Sequence, residues 1–227
     1  MDCGLLCSNL TWLICLCCVL EFQGLGLHWY SSVEDYLAFF TKPFEKMRTV
    51  NEKYPDKFML ATEACVGFIP VIDQGPKLGN WQRAERYGYD ILYDLNAFAV
   101  GWTDWNIALD MSGGPNWAEN VVDAPILIDT DNGTTFYKNP MFYYLGHFSK
   151  FLTPGSRRIE STATAPHWQK PVEVTSFLTP DGQSIVTVVM NRANESQSFS
   201  LSVKDDSRGY INIDMPANSI QTLIFKK

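Results

Sequence analysis

The stretch Phe58-Met59-Leu60-Ala61-Thr62-Glu63-Ala64-Cys65-Val66-Gly67 is an apolar run that ends on an acid. A second run, Phe98-Ala99-Val100-Gly101-Trp102-Thr103-Asp104-Trp105-Asn106, also ends on polar and aromatic side chains. Buried strands whose C-terminal ends carry such groups are how a parallel (β/α) barrel presents its chemistry. A carboxylate beside tryptophan faces points to sugar, because the C–H-rich face of a sugar stacks on an aromatic ring. Glycoside hydrolysis normally uses two carboxyl groups. Only Glu63 stands out.

Outward from these runs, Gly24 to Tyr30 reads as a short buried strand ending in His28, Trp29 and Tyr30. Ser31 or Ser32 then offers a helix cap, with Glu34 or Asp35 three residues on. Pro43 is expected to interrupt that segment, with Phe44, Met47, Val50 and Tyr54 continuing along one helical face. Tyr54-Pro55-Asp56-Lys57 is a turn, and residues 68–79 are a loop of the active-site kind. Asn80 caps an amphipathic helix with Trp81, Ala84, Ile91, Leu92 and Leu95 inward. Residues 107–135 read as loop, and Phe142 to Phe151 as a last helix. The order strand, helix, strand, helix, strand signals a parallel sheet. After about residue 155 the pattern has period two, in Ile185–Val189, Phe199–Val203, Ile211–Ile213 and Ile220–Phe225, with a turn at Pro180-Asp181-Gly182. This predicts a small antiparallel β domain, a sandwich.

The chain has 227 residues, 46% of them hydrophobic and 19% charged, which describes a globular protein. A net charge of −7 leaves no basic stripe to neutralise phosphates, so nucleic acid is not the expected partner. Five of the six cysteines fall at Cys3, Cys7, Cys15, Cys17 and Cys18, and Cys65 alone lies in the body. They make neither a disulfide framework nor a metal site, and no cofactor is expected. The apolar run Leu10 to Leu20 has the length of a signal-peptide core but lacks a basic flank. Two readings stay open for residues 1–22: a signal-like segment, or a non-homologous leader. Sequons at Asn9, Asn132 and Asn194 give mild support to a secretory route.

Glu63 is the leading catalytic candidate, with a strand-end acid capping the next turn as the alternative. Trp105 lines a pocket in this reading, while Trp102 is a core aromatic. His28 is either catalytic or a structural histidine orienting its neighbours. Asp104, Asp110, Glu119 and Asp123 are the other acids that could pair with Glu63, and each also reads as a loop-capping or ion-paired group. No Cys–His–Asn arrangement is legible around Cys65 and no Gly-rich phosphate loop is present, so nucleotide chemistry is disfavoured.

At these residues the chain resembles the lysosomal acid β-glucosidases, the glucosylceramidases of glycoside hydrolase family 30. The matching stretches are His28-Trp29-Tyr30, Thr62-Glu63-Ala64-Cys65-Val66-Gly67, Gly101-Trp102-Thr103-Asp104-Trp105-Asn106 and Gly113-Gly114-Pro115-Asn116-Trp117. They continue through Asn120-Val121-Val122-Asp123, Phe136-Tyr137-Lys138, Pro140-Met141-Phe142-Tyr143 and Gly146-His147-Phe148-Ser149-Lys150-Phe151. The similarity runs from about Gly24 to the C-terminus and covers roughly the last three strands of the family's barrel. It implies an α/β plus all-β architecture: the last three βα units of a (β/α)8 TIM barrel in residues 23–152, then part of an antiparallel β-sandwich domain in 153–227.

The resemblance also implies that Glu63 is the nucleophile and that Tyr30, Cys65, Trp105 and Asn120 bind substrate. The implied reaction is retaining hydrolysis of glucosylceramide, or a related β-glucoside, to glucose and ceramide. The implied setting is the lysosome lumen at an anionic membrane surface, with a saposin-type activator. The family's general acid/base, a Glu closing an Asn-Glu motif on the fourth barrel strand, has no counterpart in this sequence. These 227 residues alone are therefore expected to be inactive. The alternative is a non-catalytic isoform that binds lipid, activator or full-length enzyme.

Overall fold

Leu25 and Leu27 alternate with glycines, and that pattern makes β1, Gly24–His28, with the two leucines pointing into the core. The computed structural model describes residues 23–28, 43–69, 71–133, 135–167, 169–170, 172–204 and 206–227. The expected Ser31/Ser32 cap, the leader and the aromatics Trp29 and Tyr30 lie outside those residues. The chain divides into two compact units, Met1–Phe142 and Tyr143–Lys227.

In the first unit Pro43 begins a helix rather than interrupting one: α1 is Pro43–Lys53. At the first helical position a proline ring presets φ, and the N–H it lacks has no helical partner to lose. Strand β2, Phe58–Glu63, has the bounds expected from the sequence. The following segment holds two short strands, β3 (Phe68–Ile69) and β4 (Asp73–Gln74), paired as a hairpin. Helix α2, Trp81–Asn96, starts at Asn80, whose side chain accepts from the Arg83 backbone N–H. Ala84, Ile91 and Leu92 face inward as expected, but Trp81 is 46% exposed. The helix buries Arg83, Asp90 and Asp94 instead. Strand β5 is Ala99–Trp102, shorter than the apolar run suggested.

The strands β1, β2 and β5 form one parallel sheet in that order, joined by helical crossovers as the alternating pattern predicts. Its core gathers Leu25, Leu27 and Met59 from the strands with Phe44 and Met47 from α1. Tyr89 and Tyr93 of α2 close over it, with Phe44 5.2 Å from Tyr93 between ring centres. Residues 107–135, expected as loop, contain β6 (Ala108–Asp110) and β7 (Ile126–Asp129), which pair in parallel, and the start of β8 (Thr135–Lys138), antiparallel to β7. Strands this short show no alternation that a sequence pattern can register.

Helix α3, Pro140–Ser149, leads into the second unit. There β9 (Arg157–Ile159), β10 (Glu173–Leu178), β11 (Ser184–Asn191) and β14 (Ser219–Lys226) form one antiparallel sheet in the order β14-β11-β10-β9. The strands β12 (Gln197–Ser202) and β13 (Tyr210–Met215) pair as a separate ribbon. Val172, Val189 and Met215 pack between the sheet and the ribbon with Phe199 and Leu223, the arrangement of a sandwich.

Candidate active site

The sheet register brings the expected strand-end residues side by side. His28 is the partner of Glu63 across β1 and β2, and its Nδ1 lies 3.3 Å from Glu63 Oε2. The Glu63 side chain is 19% exposed and that of His28 40%, so both reach the open end of the sheet. On the other side Ala61 pairs with Trp102. Beyond the formal strands the pairing continues, with Thr103 N donating to Ala61 O at 2.9 Å and Trp105 N to Ala64 O at 2.8 Å. The segment carrying Asp104 and Trp105 is therefore fastened alongside Glu63, with Trp105 51% exposed.

Directly after Glu63 the chain turns under tight constraint. Cys65 is buried and in no disulfide. Gly67 has φ of +78°, and a Cβ there would stand 2.8 Å from Gly75 O and 2.9 Å from Asp123 N. Glycine satisfies both the left-handed backbone and the close approach. Val66 O accepts from Asp123 N at 2.9 Å, and Gly67 O from Gly75 N at 2.8 Å. The segment that begins at Asn120 thus runs beside the residues that follow Glu63. Asn120 itself is exposed, and its carbonyl accepts from Asn116 Nδ2.

A buried polar clasp holds this loop, and the sequence did not announce it. Arg83 Nη2 donates to Asp73 Oδ1 at 2.6 Å, and Nη1 donates to Gly75 O at 2.7 Å and to Asp123 Oδ2. Asn139 Nδ2 donates to Asp123 Oδ1 at 3.0 Å, while Asn139 Oδ1 accepts from Gly79 N at 2.8 Å. Burial pushes Asp73 up, but the hydrogen bonds from Arg83 and Lys77 outweigh it and hold the carboxyl at about 2. A second set of anchors runs along α2. Tyr87 OH donates to Asp104 Oδ1 at 3.0 Å, and Trp102 Nε1 donates to Asp90 Oδ2 at 2.9 Å, so Trp102 has a structural partner.

Three of the four acids weighed as partners of Glu63, namely Asp104, Asp110 and Asp123, have other engagements. Asp123 is fully buried and held by Arg83, Asn139 and backbone N–H groups. Asp110 accepts from the Ser112 hydroxyl at 2.6 Å and from Gly114 N at 2.8 Å, which together hold it below the usual carboxylate range. Glu119 is exposed on a loop at φ +54°. Asp104 is bound to Tyr87. The dipeptide Asn51-Glu52 lies on α1 and Asn194-Glu195 in the turn after β11, neither at a parallel-strand end. Among the described residues no group of three or more His, Cys, Asp or Glu could hold a metal ion. Nor is any described helix long and apolar enough to cross a membrane. Tyr30 lies outside the described residues.

Comparison with known proteins places this geometry. Residues 20–152 match the glycosyl hydrolase family 30 TIM-barrel domain, and residues 155–223 the beta sandwich domain of the same family. The chain is 42% identical over 206 residues to putative glucosylceramidase 3 of Caenorhabditis elegans, covering 90% of this chain and 36% of that protein. It is 38% identical over 205 residues to the lysosomal acid glucosylceramidase of Mus musculus, covering 90% of this chain and 37% of the relative. The chain thus spans a little over a third of the length of these curated relatives. Among solved structures, SrfJ from Salmonella typhimurium superposes with a TM-score of 0.69 at 27% identity, over 81% of this chain and 38% of that one. The endo-beta1,6-glucanase BT3312 superposes with a TM-score of 0.68 at 23% identity, over 81% and 38% of the two chains, a likeness of fold.

Proposed function

The chain belongs to glycosyl hydrolase family 30, and from that premise we propose that it forms the nucleophile-bearing part of a glucosylceramidase-type glycoside hydrolase. One observation carries the reading: Glu63 stands at the C-terminal end of a parallel strand, between His28 on one neighbour and the Trp105 segment on the other. In the reaction, a Glu63 carboxylate oxygen bonds to the anomeric carbon of a β-glucoside as the bond to the aglycone oxygen breaks, leaving a glucosyl ester. Water then hydrolyses that ester, returning the carboxylate with net retention of configuration. His28 is well placed to steer one carboxylate oxygen, since its Nδ1 stands 3.3 Å from Glu63 Oε2.

Trp105 offers the sugar an exposed aromatic face, and Asn120, Cys65 and Tyr30 are the further residues proposed to bind substrate. Ceramide is the proposed aglycone, on the strength of relatives named as glucosylceramidases. Its departing alkoxide needs a proton, and in this reading Asp104, Asp110 and Asp123 do not supply it, because each is held in other contacts. The corresponding setting is the lysosome lumen at an anionic lipid surface, with a saposin-type activator. In this reading residues 23–152 are the barrel part and residues 153–227 the sandwich part.

A cyclitol epoxide that reacts with retaining β-glucosidases tests the assignment. Mass spectrometry should find the adduct on Glu63 and none after Glu63→Gln. An adduct on a different residue, or one unaffected by the substitution, overturns it. The purified 227-residue chain should not turn over a fluorogenic β-glucoside, because loss of the general acid costs about 10²–10⁴-fold. Turnover abolished by Glu63→Gln would show that the acid is present after all.

A further inference from the structure

Asp104 is a carboxyl group set where a charge is costly. Tyr87 donates to its Oδ1, while its Oδ2 is buried and takes no hydrogen bond among the described residues. The titratable groups around it come from three segments. Tyr87 of α2 is a buried phenol, held well above its usual value by burial first and then by the charges of Asp104 and Cys65. Cys65, just after β2, is a buried cysteine in no disulfide. Asp123, before β7, adds a second acidic charge, which Arg83 offsets. Among the described residues no cation pairs with Asp104. Burial pushes its carboxyl up to about 7, against the Tyr87 hydrogen bond and the Trp105 and Asn106 backbone amides, which pull the other way.

The main chain on both sides of Asp104 is pinned to β2, through Thr103 N and Trp105 N. The Asp104 side chain adds the tie to α2. Position 104 is therefore where the end of β5 is clamped between sheet and helix, one residue before the exposed Trp105 indole.

We propose that Asp104 is a positioning residue for Trp105, fixing the sugar-stacking indole while its carboxyl is neutral and releasing it when the carboxyl ionises. The sugar-stacking part rests on the function proposed above. As a neutral acid, Asp104 accepts from Tyr87 without a buried charge. As a carboxylate, it leaves Oδ2 buried and charged, with the Trp105 and Asn106 backbone amides only partly offsetting the burial, and burying a poorly partnered charge is costly. Relief comes when segment 103–106 moves the group toward water, and the indole moves with it. The aromatic platform is then assembled in acid and loosened on the neutral side.

The chain labelled throughout with 5-fluorotryptophan provides the test by fluorine NMR, with Trp105→Phe identifying the Trp105 resonance. That resonance should titrate with a midpoint near 7. Asp104→Asn, an uncharged shape mimic of the acid, should hold it at its acid-side position across the range. Tyr87→Phe removes a bond that favours ionisation, so the midpoint should rise. A titration that survives Asp104→Asn overturns the proposal, as does a midpoint that is unchanged or lower in Tyr87→Phe. Should Asp104→Asn fail to fold, the Tyr87→Phe shift decides alone. The measurement needs no sugar, so it stands or falls separately from the assignment of Glu63, which the cyclitol epoxide decides.

Discussion

Arg83, from the first turn of α2, forms a buried ion pair with Asp123, forty residues further along the chain. The same guanidinium holds Asp73 and the Gly75 carbonyl, so one side chain closes the loop that follows Glu63. Removing one member of a buried pair leaves the other charge unpaired, at a cost of about 3–5 kcal/mol. Arg83→Met should therefore lower the urea midpoint of the barrel unit severely. The double variant Arg83→Met/Asp123→Leu should recover part of the loss, because it deletes both charges. A double variant no better than the single one would show that the clasp acts through shape and not charge.

Gly67→Ala puts a methyl group between the Gly75 carbonyl and the Asp123 amide at a positive φ. Neither backbone atom can yield cheaply, and the substitution should cost about 1–3 kcal/mol. Thermal denaturation of the purified variant measures it. Gly182→Ala, also at positive φ but with open space around it, is the control that separates backbone strain from the clash.

Acid should stabilise the first unit. Burial holds the Asp104 carboxyl at about 7, and burial followed by the charge of Asp90 holds Asp94 well above the ordinary value of 3.8. A carboxyl raised in the folded state binds its proton more tightly there than in the unfolded chain. Its contribution is full below the unfolded value and is lost as pH climbs through the folded one. Asp73, held at about 2, works oppositely: its contribution is present above 3.8 and lost as pH falls toward 2. The unfolding temperature should therefore decline as pH rises through about 7, and decline again in strong acid. A profile that rises steadily from pH 5 to pH 8 would contradict this reading.

Asp94 is the side chain to change for a flatter profile. Both its oxygens are buried and without a hydrogen bond among the described residues, and Asp90 sits one turn away on the same helix face. Asp94→Asn removes the charge and keeps the shape. It should raise stability at neutral pH and change little at acid pH, where Asp94 is already uncharged. Equal effects at both pH values would mean that packing, not charge, dominates at this site.

Much of the architecture was legible because the decisive strands are long, apolar and terminated by polar groups. β2 carries its bounds in Phe58 to Glu63, and Asn80 marks the start of α2. The short strands β6, β7 and β8 were not legible, since three or four residues carry no usable period. Trp81 was misplaced because hydrophobicity alone selects it as inward, whereas α2 turns Arg83, Asp90 and Asp94 to that face. The Arg83–Asp123 clasp is a long-range pairing between one charge on a helix and one in a loop. Local pattern holds no trace of such a pair. Glu63 could be singled out by its place at a strand end, but the contact with His28 depends on the register between β1 and β2.

The anchors along α2 fall at positions 83, 87 and 90, and each grips a different part of the site: the loop after Glu63, the residue before Trp105, and Trp102. The helix thus works as a jig, with three parts clamped at fixed stations along one rod. Each residue advances such a rod by about 1.5 Å and turns it by about 100°. Deleting one residue between stations 83 and 90 would misalign one end of the workpiece, however well the helix itself re-formed. Length between the stations, more than composition there, is what the site requires of α2.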